Sequence, residues 1–390
     1  GISMQPLKGI KVLDCSNLLP GPYCTMILAA MGAEVIKVEP AGSGDFLRHM
    51  MPESFEFINR GKQSITLNLK TDKAKEILYR QAKEAHVMLE GFRPGVAKRL
   101  GIDFEKIKSI NPDIIYASIS GFGQKGPYVS HPGHDIDFQS IAGAASITGD
   151  PERPGGEPVG FQASDIAGGV FALISILAAL LGKKGKDFPG ATYLDISMTD
   201  SLIMWMLPRI IEYFSMDAPS RSDFMGRGAY GIFEAGDKRF LSIGVVEEHF
   251  WERLCDLMDM SDLLKNPELR TWKGRNKNRH MIRPRLKEKF LTKDRDAWLK
   301  ELIEADIPAA PVNEIKDLLN DPQIKHNQLL GIDEKGNFLA QMTRPFPAPG
   351  LIRDMNESSA PKLGENTETI LKKLGYSSEE FHDFKEKGII

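Results

Sequence analysis

Two acid/base side chains stand out by type and setting in this 390-residue sequence. His134 stands near the end of the stretch GFGQKGPYVSHPGHDIDF, Gly121 to Phe138, which directly follows the strand-like IIYASIS. Asp165 stands in FQASDIAGG, at the head of an apolar helical pattern that runs to Leu181. An imidazole and a carboxylate are groups that move protons, and a carboxylate at a helix N-terminus is held as the anion beside amides able to receive a substrate oxyanion. A second reading makes Asp165 a helix N-cap, worth about 0.5–2 kcal/mol, and the two readings are compatible. The Gly168-Gly169 pair leaves room for something to approach the first helical turn. His49, His86, His131, His280, His326 and His382 read as structural or surface groups.

The same stretch contains a formal G-x-G-x-x-G at Gly121, Gly123 and Gly126. A dinucleotide fingerprint needs a helix after the third glycine to receive the pyrophosphate. Pro127, Pro132 and Gly133 disfavour one, so the segment reads as a long loop leaving the carboxyl end of a strand, where α/β sheets place their ligands. There is no G-x-S-x-G, P-loop or H-E-x-x-H pattern.

Elements that could position these residues follow from periodicity. IKVLD, EVIKVE, SITLNLK, HVMLEGF and DIIYASIS alternate with helical patterns over the first 120 residues, which predicts a parallel α/β sheet with right-handed crossovers. Pro22 and Gly32 bracket the first helix. TYLDISM continues the sheet, and a helix from about Thr199 to Phe214 contains Pro208. From about 225 the pattern changes to a hairpin, GIFEAG-DK-RFLSIGVV, followed by charged amphipathic helices, and the Pro-rich MTRPFPAPGLI leads to two terminal helices. The reading is a large α/β domain from 1–215 and 331–390, a linker at 216–224, and a smaller α+β domain at 225–330.

Bulk composition excludes several classes. Fifty Lys and Arg against 53 Asp and Glu, with no basic run, argue against nucleic acid. Cys15, Cys24 and Cys255 are too scattered for a zinc knuckle or disulfide framework, which suits a cytoplasmic protein. The apolar run from Val170 to Leu181 is shorter than the roughly 20 residues a bilayer needs, so no membrane partner is expected.

Several segments together resemble the family III CoA-transferases, also called the CaiB/BaiF family, which includes the α-methylacyl-CoA racemases. They are LKGIKVLDCSNLLPGPYCTMILAAMGAEVIKVEP, NRGKQSITLNLK, EGFRPGVAKRLGI, SISGFGQKGPY, DIAGGVFALISILAALLGKKGK, YLDISMTDSL, ADIPAAPVNEI and PKLGENTETILKKLGYS. The resemblance implies a Rossmann-like large domain that binds no NAD, a small domain inserted in it, and two ring-like subunits interlocked as a homodimer. It implies an acyl-CoA thioester as substrate, with coenzyme A entering only as part of that substrate and no metal.

By the same resemblance Asp165 is the catalytic aspartate, which attacks the thioester in transferases and exchanges the α-proton in racemases. His134 in GHDI, Glu247 in IGVVEEHF as a buried group orienting it, and Gly91 in EGFRPG match the racemase branch. A 2-methylacyl-CoA racemase working by two-base exchange through an enolate is therefore the first expectation. An acyl-CoA:carboxylate CoA-transferase is the alternative, and an inert acyl-CoA-binding dimer a third. The enolate oxygen would take amides at the head of the 166 helix or around Gly133 to Asp135. Arg93 and Arg99 match the phosphate ligands, Leu69, Lys70 and Gly91 the nucleotide lining, and Lys125 adds a further cation. Three departures bear on the substrate: Asp137-Phe138 where racemases have Asn-Tyr, Pro40-Ala41 without the adenine-stacking arginine, and Arg227, suited to pairing with a carboxylate of a diacid.

Overall fold

The computed structural model describes residues 4–185, 188, 190–332, 334–335, 338–340, 351, 355 and 358–390. Six strands form one parallel sheet: β1 (Lys11–Cys15), β2 (Glu34–Pro40), β3 (Gln63–Leu67), β4 (Val87–Glu90), β5 (Ile115–Ser120) and β6 (Thr192–Ser197), in the order β3-β2-β1-β4-β5-β6. All four residues of β4 and all six of β5 are buried, as expected of central strands covered on both faces. The order reverses between β1 and β4, the switch point outside which such sheets bind ligands.

The chain divides into two compact units. The first comprises residues 1–146, 157–208 and 323–390 and contains the sheet. One face of the sheet is covered by the Pro20–Ala30 and Ala163–Gly182 helices, the other by the Asp72–Glu84 helix and the terminal helices Thr367–Lys373 and Ser378–Glu386. Pro20 and Pro22 both lie in the first turn of the Pro20–Ala30 helix, and Gly32 follows its end at φ +104°, a left-handed conformation open to glycine. Most of MTRPFPAPGLI lies outside the described residues.

One expectation changes here. The apolar run read as about a dozen residues belongs to a 20-residue helix, Ala163–Gly182, long and apolar enough by composition to cross a membrane. The helix expected from residue 166, with Asp165 at its head, begins three residues earlier, at Ala163. Its inner face, Ala167, Ala172, Leu173, Ile176 and Ala179, packs into the cores of the first unit, which is what a core helix of an α/β sheet does.

Under the helices lies a buried set of charges. Lys37 and Asp45, both fully buried, pair at 2.8 Å, and Lys62 lies 3.8 Å from Asp14. Asp14 accepts from the Ser16 amide at 2.8 Å and from the Ser16 and Thr25 hydroxyls at 2.5 Å each. Burial pulls the Lys62 ammonium down to about 7, opposed by the charge of Asp14.

The second unit comprises residues 147–156 and 209–322. Its sheet is antiparallel, β7 (Tyr230–Glu234), β8 (Phe240–Gly244) and β9 (Ala309–Pro311), with the hairpin turned at Lys238, φ +63°. Helices Glu248–Leu257, Arg279–Phe290 and Arg295–Glu304 bury Trp251, Phe290 and Trp298 against it.

Candidate active site

The loop from Gly121 lacks the helix that a dinucleotide fingerprint needs directly after its third glycine. Gly123 and Gly126 take φ +85° and +102°, and the next helix begins only at Asp135. A Cβ on Gly121 would lie 2.3 Å from the Phe138 ring and one on Gly133 2.7 Å from it, so the ring occupies the space both glycines leave. That packing folds the loop back and sets His134 as the residue before the Asp135–Ala142 helix, whose Asp137 carboxylate accepts the His134 amide at 2.9 Å.

Asp165 is the third residue of the Ala163–Gly182 helix and does not cap it. The cap is Asp135: its Oδ1 accepts from the Ser164 amide at 2.9 Å, the Ser164 hydroxyl at 2.5 Å and the Asp165 amide at 3.1 Å, and its Oδ2 accepts from Gln139 at 2.6 Å. No described residue hydrogen-bonds the Asp165 carboxylate, so the cap reading is replaced. Burial, with the nearby Asp135 charge adding to it, pushes Asp165 up to about 7.

Two further expectations change. The amides opening this helix are committed: Ala163 to the Phe161 carbonyl, Ser164 and Asp165 to Asp135, and Ile166 to the Gln162 carbonyl. They are not open to an oxyanion, whereas the Gly133 and Asp135 amides have no acceptor among the described residues. What approaches the glycine pair is the protein itself: a Cβ on Gly168 would lie 2.6 Å from Met198, and one on Gly169 2.7 Å from the Pro20 carbonyl oxygen.

His134 and Asp165 line the same cavity of about 360 Å³. Its wall is built from the carboxyl ends of β1, β4 and β5, with Ser16, Asn17, Gly91, Phe92, Arg93 and Gly133. Ser16, Asn17 and Phe92 are shared with a neighbouring cavity of about 390 Å³ beyond β2 and β3, lined by Pro40, Ala41, Leu69 and Lys70. On the other side His134, Asp165 and Leu18 also line a third cavity of about 670 Å³ with apolar walls from Phe46, Met50, Met51 and Phe161, where Asp135 lies. Asp165 thus stands between a groove along the sheet edge and an apolar recess.

The buried ion pair sets one wall of this arrangement. Lys37 donates to the Ser16 carbonyl at 2.9 Å, and Asp45 accepts from the Leu18 amide at 3.0 Å. Together they hold Leu18 at φ +61°, a conformation uncommon for a residue with a side chain and typical of functional loops. Sequence reading missed Ser16, Asn17 and Leu18; their place immediately after β1 at the switch point was the available signal.

Other sequence-derived residues are distributed as follows. Arg93 is exposed and donates to the Ser130 carbonyl at 3.0 Å. Arg99, in the short Val96–Arg99 helix, and Lys125 are exposed and line none of these three cavities. Glu247 belongs to the second unit and is exposed, not buried, because it is the residue before the Glu248–Leu257 helix, where the chain turns toward solvent. Arg227, also in the second unit, is paired at 3.1 Å with Glu212.

The sequence model of CoA-transferase family III matches residues 7–367. The chain belongs to CoA-transferase family III. It is 33% identical to the acetyl-CoA:oxalate CoA-transferase of Acetobacter aceti, over 95% of this chain and 96% of that one. It is 30% identical to the succinyl-CoA:glutarate CoA-transferase of Homo sapiens, over 100% and 90%. The crystal structure of a CAIB/BAIF family protein from Brucella suis superposes with a TM-score of 0.78 at 30% identity, over 95% and 99%. The family and fold expected from the resemblance are therefore those of this chain, and the names of its family III relatives favour transfer of CoA over racemisation.

Proposed function

We propose that this protein is an acyl-CoA:carboxylate CoA-transferase with Asp165 as nucleophile. The observation that carries the reading is a half-buried carboxylate, free of hydrogen-bond partners among the described residues, on the wall of a groove along the sheet's carboxyl edge. A carboxylate raised to about 7 is a stronger nucleophile than an ordinary one and is still about half ionised at neutral pH.

Asp165 attacks the thioester carbonyl, and CoA thiolate leaves as an aspartyl–acyl anhydride forms. The thiolate then attacks the aspartyl carbonyl, which releases the donor acid and leaves an aspartyl-CoA thioester. The acceptor carboxylate repeats the two steps in reverse order, ends as the new acyl-CoA, and frees Asp165. The groove through Lys70, Leu69, Phe92 and Gly91 suits the CoA moiety, with Arg93 beside it for phosphate and the apolar recess for the acyl group. The Gly133 and Asp135 amides are the donors available to a tetrahedral oxyanion. A second copy of the chain would cover the apolar side chains that the first unit exposes at Ile174, Leu181, Met204 and Trp205.

The test is chemical trapping. Incubation with an acyl-CoA donor followed by hydroxylamine should inactivate the enzyme and convert Asp165 to its hydroxamate, read by peptide mass spectrometry. An unmodified Asp165 in an enzyme that is turning over rules the mechanism out. A second reading, racemisation of 2-methylacyl-CoA, is favoured by His134 lining the same cavity as Asp165. It requires α-deuterium incorporation from deuterated water with no acceptor acid present, and loss of that exchange in His134→Ala.

A further inference from the structure

Each of the two strands flanking the switch point carries, near its carboxyl end, a buried carboxylate that binds the backbone two residues ahead. Asp14 in β1 accepts the Ser16 amide at 2.8 Å, and Glu90 in β4 accepts the Phe92 amide at 2.8 Å. A Cβ on Gly91 would lie 3.5 Å from the Ser16 Cβ, so the two loops held in this way pack against each other. Their residues Ser16, Asn17 and Phe92 are the ones shared by the cavity that Asp165 lines and the neighbouring cavity along the sheet edge.

The two carboxylates differ in how their charge is met. Lys62 lies 3.8 Å from Asp14. Glu90 is only 3% exposed, and no described cation lies within ion-pair distance of it. Its Oε1 accepts from the Ser118 hydroxyl at 2.6 Å, and that hydroxyl accepts from the Tyr193 hydroxyl at 3.1 Å. The strand registers bring these groups together, since Glu90, Ser118 and Asp195 are direct neighbours across β4, β5 and β6. Burial pushes the Glu90 carboxyl up to about 7, opposed by the bonds from Ser118 and Phe92 and helped by the Asp195 charge. A buried carboxylate with no cation lowers stability when it is charged, so core packing alone gives no reason for it. What its two oxygens do fix is the backbone at Phe92.

We propose that Glu90 is a positioning residue for CoA: by holding the Phe92 amide it sets Phe92 at the junction of the two cavities, where the CoA moiety passes on its way to Asp165. The inference rests on the transferase reading for that destination, but it is tested on CoA binding alone. The acceptor is what matters. An amide oxygen at position 90 would hold the loop as the carboxylate does, whereas an apolar side chain would leave the Phe92 amide without a partner and the loop free to move.

The experiment titrates the full chain with CoA by calorimetry. Glu90→Gln should bind within threefold of the parent and Glu90→Leu at least tenfold more weakly. In turnover, well below the unfolding midpoint, Glu90→Leu should raise the KM for acyl-CoA by a similar factor and leave kcat within threefold. A merely structural role would lower the unfolding midpoint and leave KM alone. Unchanged CoA affinity in folded Glu90→Leu, or an equal loss in Glu90→Gln, overturns the proposal. Hydrogen exchange on the unmutated, CoA-free chain needs no variant to fold. The Phe92 amide should exchange at least tenfold more slowly than that of Arg93, which has no acceptor among the described residues, and equal rates overturn the proposal. Failure of the two readings is distinguishable. An Asp165 left unmodified by hydroxylamine during turnover ends the transferase reading and leaves the CoA titrations standing, whereas a trapped Asp165 with CoA affinity indifferent to Glu90 ends this proposal alone.

Discussion

Asp135 Oδ1 accepts the amides of both Ser164 and Asp165, so the helix that bears Asp165 is capped from another helix, by a carboxylate that also raises its neighbour's affinity for a proton. One residue therefore does two things to the candidate nucleophile. It relieves Asp165 of the capping role, and it shifts the pH range over which Asp165 is charged.

Replacing Asp135 by Asn should separate these effects. The amide oxygen can still accept from the helix, so stability should fall by only about 1 kcal/mol. The negative charge is gone, so the acidic limb of the kcat/KM profile should move to lower pH. An unmoved limb would show that burial alone sets the ionisation of Asp165.

In the unsubstituted enzyme the nucleophile is the anion, so kcat/KM for the thioester should rise with pH through about 7. The same shift has a stability consequence of fixed sign. A folded-state value of about 7, above the ordinary 3.8, means the folded chain holds a proton that the unfolded chain has released between those values. Stability contributed by this group is therefore lost as pH rises from about 4 to 7. Asp165→Asn, inactive in transfer, should be more stable than the parent at pH 8 by about 1–2 kcal/mol, allowing for solvent screening at a half-buried site. Urea denaturation at pH 4 and pH 8 measures this, and the two proteins should converge at the lower pH.

Lys37→Met removes one half of a fully buried ion pair and leaves Asp45 charged in the interior. A loss of about 3–5 kcal/mol in urea unfolding is expected. Because Lys37 also holds the Ser16 carbonyl, the surviving folded enzyme should show a raised KM for acyl-CoA at a temperature well below its unfolding midpoint. A pure stability loss with unaltered KM would remove Lys37 from the positioning of that loop.

Arg93→Gln should raise the KM for acyl-CoA about tenfold while leaving kcat within about threefold, the pattern of a group that binds substrate and transition state alike. Arg99→Gln, on a residue that lines none of the three cavities, should change neither by as much. A reversed ranking would mean that the phosphates take a different course from the groove.

Much of this was legible in the sequence for reasons of periodicity. β4 and β5 are short, largely apolar segments, buried throughout because both faces of a central parallel strand are covered, and Pro22 and Gly32 mark a helix whose ends are those residues' preferred positions. His134 and Asp165 were found by residue type and by their place after a strand and before an apolar helix. What sequence could not assign was non-local. The cap on Ser164 comes from a residue 29 positions earlier, the ion pair that shapes the Ser16–Leu18 loop joins Lys37 to Asp45, and Glu212 claims Arg227 from 15 positions away. Helix-cap rules look within one turn, so they gave Asp165 a role that Asp135 performs. The exposure of Glu247 was hidden for the opposite reason, since a motif match carries a family's environment with it whether or not this chain reproduces it.

The Phe138 ring fills the space above both Gly121 and Gly133. For anyone reshaping this pocket, that fixes the order of steps: a side chain added at 121 or 133 meets the Phe138 ring, so a library that varies either glycine alone will return destabilised protein, and paired libraries that shrink Phe138 first are the passable route.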